Sequence, residues 1–571
     1  MRIIVSEFYG SPNSKEKKII NKQSIIHFII GLVVCMVILY PFFSENLIYS
    51  HDDFAFHRNR LESYFDSVHH GNFFPKVFPN MANGYGYAAD LFYPSILMLP
   101  YVVLRTVGLS FIQSYYGYMF IIAVSTYVVS YFSIRTIFKD NSIAFLFSVF
   151  YTTSTYRLLD QFLRGALGET LAFIFLPLVF LGLVQVFFED KNKWITLAVS
   201  IALLIHSHMI TSLIVTISIG LFFIHQFFSK KITTKIFMNF IKAIGLSFLL
   251  CLYIFLPIIE QNSKIVFIYI KNRTIWPTGL NYSFNELISN SFGNYSGNWE
   301  NLKPGLGIVL ILFIIIGLVY FSRSSKEMKF FYLLGILFAI IATNIFPWIL
   351  FKRSYLAFIQ FPWRILSIAT FFLSLSLSFF IRDLNLKTLK WQIPVVVTII
   401  SLSFTLNTLN NFEANQIPNI TNKSYSTFAP QAIGGGREYL PIDTDFDAIY
   451  ENKENEITQP YGVMVREIKK DFNSFYYTTN VEPDLATITL PKIAYVGYDV
   501  LIDGIPTESL RKDGLLTFHI EKGFHNVKVT YAGTFLQKSS LTISLFAWLG
   551  LLALTVKRHV NILKDILPAR F

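Results

Sequence analysis

Apolar residues lie in long, nearly uninterrupted runs along most of the chain, separated by short polar linkers. Runs of this kind suit helices that are apolar all round, and about 20 such residues cross a bilayer. They fall at 24–43, 111–133, 142–156, 168–188, 194–208, 210–228, 240–258, 306–322, 330–350, 365–381, 391–407 and 538–556. A further apolar stretch, 91–104, is short and carries Pro94 and Pro100, which predicts a re-entrant helix within a first outer loop at 44–110. The pattern changes once, over 408–537. The second half of that segment alternates apolar and polar positions at 486–491, 499–502, 515–520 and 527–531, with Asp503-Gly504, Asp513-Gly514 and Lys522-Gly523 as turn signals. The expected fold is therefore a polytopic α-helical membrane protein of about twelve spans, with an extracytoplasmic β-sandwich domain before the last span. Its parts are a tail (1–23), a transmembrane module (24–407), the sandwich (408–537), a last helix (538–556) and a second tail (557–571).

Composition supports the class: 53% of residues are hydrophobic, only 15% are charged, and Phe occurs 59 times. The formal charge of +12 would point to nucleic acid in a soluble protein. Here the cations sit in linkers, which is an orientation bias and implies no nucleic-acid partner. The cationic sites are Arg2, Lys15, Lys17, Lys18 and Lys22, then Arg135/Lys139, Lys191/Lys193, Lys230/Lys231/Lys235, Arg323/Lys326/Lys329, Arg382/Lys387/Lys390 and Lys557/Arg558. All of them fall inside, with both termini cytoplasmic, if 91–104 does not cross. Cys35 and Cys251 lie within apolar runs, so no disulfide framework is expected. The first run has spanning length and no small-residue cleavage site, unlike a cleaved signal peptide.

Candidate chemistry gathers at outward span ends. After the first span comes His51-Asp52-Asp53-Phe54-Ala55-Phe56-His57-Arg58-Asn59-Arg60. In a helix Asp53, His57 and Arg60 share a face, joining an acid, an imidazole and a phosphate-binding guanidinium. The segment 156–169 places Arg157, Asp160 and Arg164 on one face, with Glu169 opening the next span near its positive end; a self-neutralising Asp160–Arg164 anchor is the simpler reading. His206 and His208 end another span and suit interfacial hydrogen bonding better than joint metal ligation, because i and i+2 diverge on a helix. Were a divalent metal bound, Glu169 and His208 are its candidate ligands, with Asp53 the alternative partner of His208. Lys352, Arg353 and Arg364, the last in Gln360-Phe361-Pro362-Trp363-Arg364, put cations on the side normally poor in them, which suggests an anionic ligand. The alternative is an aromatic-belt anchor at Trp363 with Arg364 reaching the headgroups. The outer loop 259–305 offers Trp276, Tyr295 and Trp299 for sugar stacking, and Gly434-Gly435-Gly436 lacks the Lys and helix of a phosphate loop.

Several short motifs carry a resemblance. Asp53-x-x-Phe56-His57-x-x-Arg60, Gly71-Asn72-Phe73-Phe74-Pro75, Asn83-Gly84-Tyr85-Gly86-Tyr87 and Phe92-Tyr93-Pro94 resemble the start of the YfhO-type bacterial membrane proteins. Arg164-Gly165-Ala166-x-Gly168-Glu169, Ser207-His208-x-x-Thr211 and Gln360-Phe361-Pro362-Trp363-Arg364 are similar to a polytopic family labelled 6-pyruvoyl-tetrahydropterin-synthase-related, although no pterin-binding pattern is present. Leu490-Pro491, Tyr495-x-Gly497-Tyr498 and Asp503-Gly504 resemble the carboxyl-terminal sandwich of these proteins. Both groups are similar to GT-C glycosyltransferases, which implies an acid in the first outer loop and a polyprenyl-phosphate-linked sugar donor. The doubled acid Asp52-Asp53 departs from a single acid, and the spacing to Phe56-His57 favours Asp53. The implied activity is inverting transfer of a sugar to an envelope glycopolymer or lipid-linked acceptor at the outer face. Asp53 would be the base, with Asp52 the alternative and His57 beside it. Arg364, with Arg164 or Arg353 and aided by Arg60 and Trp363, would hold the departing phosphate. The competing expectations are a transporter or flippase of a lipid-linked saccharide, and a non-catalytic scaffold for envelope assembly.

Overall fold

The computed structural model describes residues 22–49, 52–188, 193–293, 303–384, 392–413, 419–425, 429, 431–451, 457 and 460–566. Arg2, Lys15, Lys17, Lys18, His51, Lys191, Tyr295, Trp299, Lys387 and Lys390 lie outside them. The chain divides into two compact units, 1–65 with 95–240 and 272–435, and 66–94 with 241–271 and 436–571.

The first unit is built of helices: α1 (Lys22–Ser44), the start of α2 (Phe54–His69), α3 (Phe111–Phe138), α4 (Asn141–Thr152), α5 (Leu167–Phe188), α6 (Trp194–Ser207), α7 (Met209–Phe228), the start of α8 (Thr234–Leu250), and, after α9 (Leu252–Lys264) of the second unit, α10 (Ile308–Val319), α11 (Lys326–Ile341), α12 (Leu366–Asp383) and α13 (Gln392–Glu413). Aromatic rings interleave at its centre: Phe371 stands edge-on to Phe147, Tyr151 and Phe180. The glycine at 182 lets α5 and α6 close up, since a Cβ there would lie 2.6 Å from the Leu197 Cα.

The second unit carries an antiparallel sheet of six strands: β1 (Val463–Lys470), β2 (Ser474–Ile493), β3 (Tyr498–Ile502), β4 (Ile505–Thr507), β5 (Leu510–Lys512) and β6 (Leu515–Tyr531). Hydrogen bonds join them in the order β1-β2-β6-β3-β4, with β5 also on β6. Ile488, Leu490, Phe518 and Ile520 alternate into its core. The helix α14 (Phe535–Ile566) follows, with Phe546, Leu549, Leu552 and Leu554 exposed along it. At 66–94 and 241–271 the same unit packs Phe92 flat on Tyr439, ring centres 4.8 Å apart, and edge-on to Phe267.

Across the described residues seven helices are long and apolar enough to cross a membrane, or eight if a bent pair counts as one. Several expected spans differ from this in form. Run 142–156 holds only the twelve-residue α4, about 18 Å long and short of a bilayer core. Run 194–208 holds the fourteen-residue α6, and run 306–322 the twelve-residue α10. Run 240–258 is divided between α8 and α9, which bend by 70° at Cys251. Run 330–350 leaves its helix at Ile341, with the β-turn-prone Asn344 and Pro347 beyond. The expected re-entrant helix at 91–104 is two pieces, Ala89–Phe92 and Ile96–Thr106, parted by Tyr93-Pro94-Ser95. In the sheet, Lys522-Gly523 is no turn: β6 runs through it, and the irregularity sits opposite, where β2 slips register between Val481 and Leu485. The strand β1 and the first half of β2 lie outside the segments expected to be strands.

Candidate ionic centre

The site belongs to the first unit and begins at the start of α2. The Asp53 N–H donates to the Arg164 carbonyl at 3.0 Å, and the Asp53 carbonyl accepts from the His57 N–H at 3.1 Å, opening the helix. This docking depends on Gly165: with φ at +60°, a Cβ there would stand 2.8 Å from the Phe54 Cβ and 3.0 Å from its Cα. One turn along α2, His57 Nδ1 lies 3.2 Å from Arg60 Nη1, and Arg60 Nη2 donates to Ser95 Oγ at 3.3 Å. The spacing read from the sequence thus puts His57 and Arg60 in contact, both buried, with Asp53 half-buried at the helix start.

The chain from α4 to α5 supplies the hub. A five-residue π-turn, Leu159–Leu163, presents Asp160 beside Arg164. Arg164 bonds Asp160 through Nη1 at 2.6 Å and Glu169 through the same nitrogen at 3.3 Å, and Asp52 through Nε at 3.1 Å. The Tyr156 hydroxyl donates to the other Glu169 oxygen at 2.6 Å. Arg364 approaches Glu169 at 3.9 Å through Nε, while its Nη1 donates to the Ile359 carbonyl and to Gln360 Oε1. His208 caps α7 through Thr211 and lies within electrostatic reach of Arg364, Arg164 and Arg60. Arg60, Arg164 and Arg364 are all buried, the first completely. The simple Asp160–Arg164 anchor is present, but as one edge of a network reaching Asp52, Glu169 and Arg364.

Burial sets the electrostatics of the groups outside the spans. It pushes the Asp160 carboxyl well above the ordinary carboxylate range; the Glu169 charge adds to this, and Arg164 opposes it. His57 is held well below the ordinary imidazole value by burial first, then by Arg60 and His208, so it is a neutral donor and acceptor at neutral pH. Two buried donors lack a hydrogen bond among the described residues: Trp363 Nε1, and Arg364 Nε, whose carboxylate neighbour, Glu169, is 3.9 Å away. An acceptor-rich anion is the ligand that such donors suit.

Not every candidate joins the centre. Arg353 is exposed, and its carbonyl accepts from Arg273, apart from the network. Trp363 is buried between Phe361, stacked at 4.6 Å, and Tyr282, edge-on at 5.8 Å, instead of standing out as a belt anchor. A metal fits poorly at Glu169 and His208. Glu169 is already engaged by Tyr156, Arg164 and Arg364, two guanidiniums repel a dication, and no metal-binding group of three His, Cys, Asp or Glu occurs among the described residues. Tyr156 has no role in the sequence pattern; its one signal there is a hydroxyl just ahead of an Arg/Asp/Glu-rich span junction.

No family model matches the chain. It is 26% identical over 357 residues to an uncharacterized protein of Lactococcus lactis subsp. cremoris (strain MG1363). The match takes in 57% of this chain and 55% of that protein, so the chain spans about half the length of the relative.

Proposed function

We propose that the protein is a membrane glycosyltransferase of GT-C type, transferring a sugar from a polyprenyl-phosphate donor to an envelope glycopolymer or lipid-linked acceptor. The observation that carries this reading is the convergence of three buried guanidiniums, Arg60, Arg164 and Arg364, beside the helix start that bears Asp53. Buried cations among apolar spans are costly without a function, and two oxygens of a phosphate accept from both prongs of a guanidinium fork. In this reading Asp53 takes the proton of the acceptor hydroxyl as its oxygen attacks the anomeric carbon. The glycosidic electron pair leaves with the carrier phosphate, whose growing charge Arg364 and Arg164 meet. Attack opposite the leaving group inverts the anomeric centre. Asp52, already held by Arg164, keeps that cation in place. The same reading takes about twelve spans, both termini cytoplasmic and the sheet domain outside, as the linker charges suggest.

Asp53→Asn tests it: mass spectrometry of envelope glycopolymers should show the modified species lost at unchanged levels of membrane-inserted protein, with Asp52→Asn causing a smaller loss. Full modification in Asp53→Asn would remove the base from this scheme, and loss in Asp52→Asn alone would move the role by one residue.

A further inference from the structure

The sheet of the second unit bears a groove of about 520 Å³ that the transfer reaction does not use. It is lined by Lys469, Tyr476, Thr478, Leu501, Asn526 and Lys528. The register sets these side by side: Lys469 opposes Tyr476, Tyr476 opposes Lys528, and Lys528 opposes Leu501, giving one row across four strands. In the next row Thr478 opposes Asn526. Residues two apart share a face, so the side chains of both rows lie on the side away from Phe475 and Val529, which are buried. The two lysines are separated by two strand spacings, about 10 Å, with the tyrosine ring between them. The Lys528 ammonium is 5.3 Å from the centre of that ring. Among the described residues no acid lines the groove, and neither Lys469 nor Lys528 is in an ion pair. The nearby Asp503 carboxylate is directed to His525 at 2.7 Å and to the Asn526 N–H at 2.8 Å.

We infer that this groove binds an anionic glycan. Two ammoniums flanking an aromatic ring match a chain that alternates charged groups with a sugar, and Thr478 and Asn526 offer hydroxyl and amide partners for its hydroxyls. A neutral glycan would leave the lysines unused, and an acidic peptide such as polyglutamate would bring no sugar face to the ring between them. This inference is independent of the transfer reading, because it concerns binding by the sheet alone.

The test uses the full chain in nanodiscs of zwitterionic lipid, titrated with dextran sulfate, neutral dextran and polyglutamate. Dextran sulfate should bind, and both other polymers at least roughly tenfold more weakly. Lys469→Ser with Lys528→Ser should weaken dextran sulfate binding by roughly tenfold or more, Tyr476→Ala should also weaken it, and Lys469→Arg with Lys528→Arg should keep it. Lys522→Ser, an exposed charge outside the groove, should leave binding unchanged. Equal binding of polyglutamate, an equal loss in Lys522→Ser, or full binding in the double serine variant or in Tyr476→Ala would overturn the inference. Should the double serine variant fail to fold, Tyr476→Ala and the polymer comparison still decide it.

Discussion

Arg364 couples local geometry to the proposed chemistry. Pro362 starts the turn that carries it, Phe361 lies beneath its guanidinium at 5.2 Å, and Gln360, with φ at +61°, turns its amide to Nη1. Two of its nitrogens therefore have set directions, one toward Gln360 and Ile359 and the other toward Glu169. A lysine would keep the charge and lose both directions at once. Arg364→Lys should lower turnover well beyond what the charge explains, and Arg364→Ala should cost about 2–4 kcal/mol of transition-state stabilisation, the scale of one lost oxyanion donor. Donor binding should weaken less than turnover, because phosphate charge grows as the glycosidic bond breaks. Single-turnover and binding measurements on purified variants separate the two; weak binding with normal saturated turnover would make Arg364 a docking residue.

At the level of elements, the site rests on two departures from regular helix. The π-turn at Leu159–Leu163 shifts the Asp160 carbonyl enough to receive the Ala166 N–H, and the chain then turns at Gly165 into α5. The left-handed backbone at Gly165 and its contact with Phe54 leave no room for a side chain. Gly165→Ala should therefore lower stability by about 1–3 kcal/mol. It should also shift α2 and reduce activity more than the same substitution at Gly220, where a Cβ meets nothing within 4 Å. Thermal unfolding of both variants in detergent, read beside glycopolymer modification, checks this. An unchanged midpoint for Gly165→Ala would mean that α2 docks by other contacts.

For the whole molecule, the linker charges make a topological statement that accessible cysteines can test. Cys35 and Cys251 are buried, so the background is quiet. In intact cells Lys139→Cys and Thr233→Cys should resist a membrane-impermeant thiol reagent, while Asn281→Cys and Asp484→Cys should react; all four positions are exposed. Reaction at 139 with protection at 281 would mean that the segment 91–104 crosses the membrane and reverses every later loop.

The apolar runs alone determine that this chain is dominated by apolar helices, because lipid-compatible burial is a property of each run taken by itself. Local periodicity likewise placed His57 on Arg60 and located the strands around Ile488, Phe518 and Val529, since i, i+3 and i, i+2 relations need no distant partner. The network is different in kind. Arg364 meets Glu169 from 195 residues away, and Asp52 meets Arg164 across 112, so no window of sequence contains either pair. Arg353 carries the same charge as Arg364 eleven positions earlier and is exposed. Only packing separates the two, by burying one guanidinium against a carboxylate and leaving the other in contact with solvent. The same holds for the bend at Cys251 and the continuity of β6 through Gly523, where neighbouring segments outweigh the local signals for a straight helix and a turn.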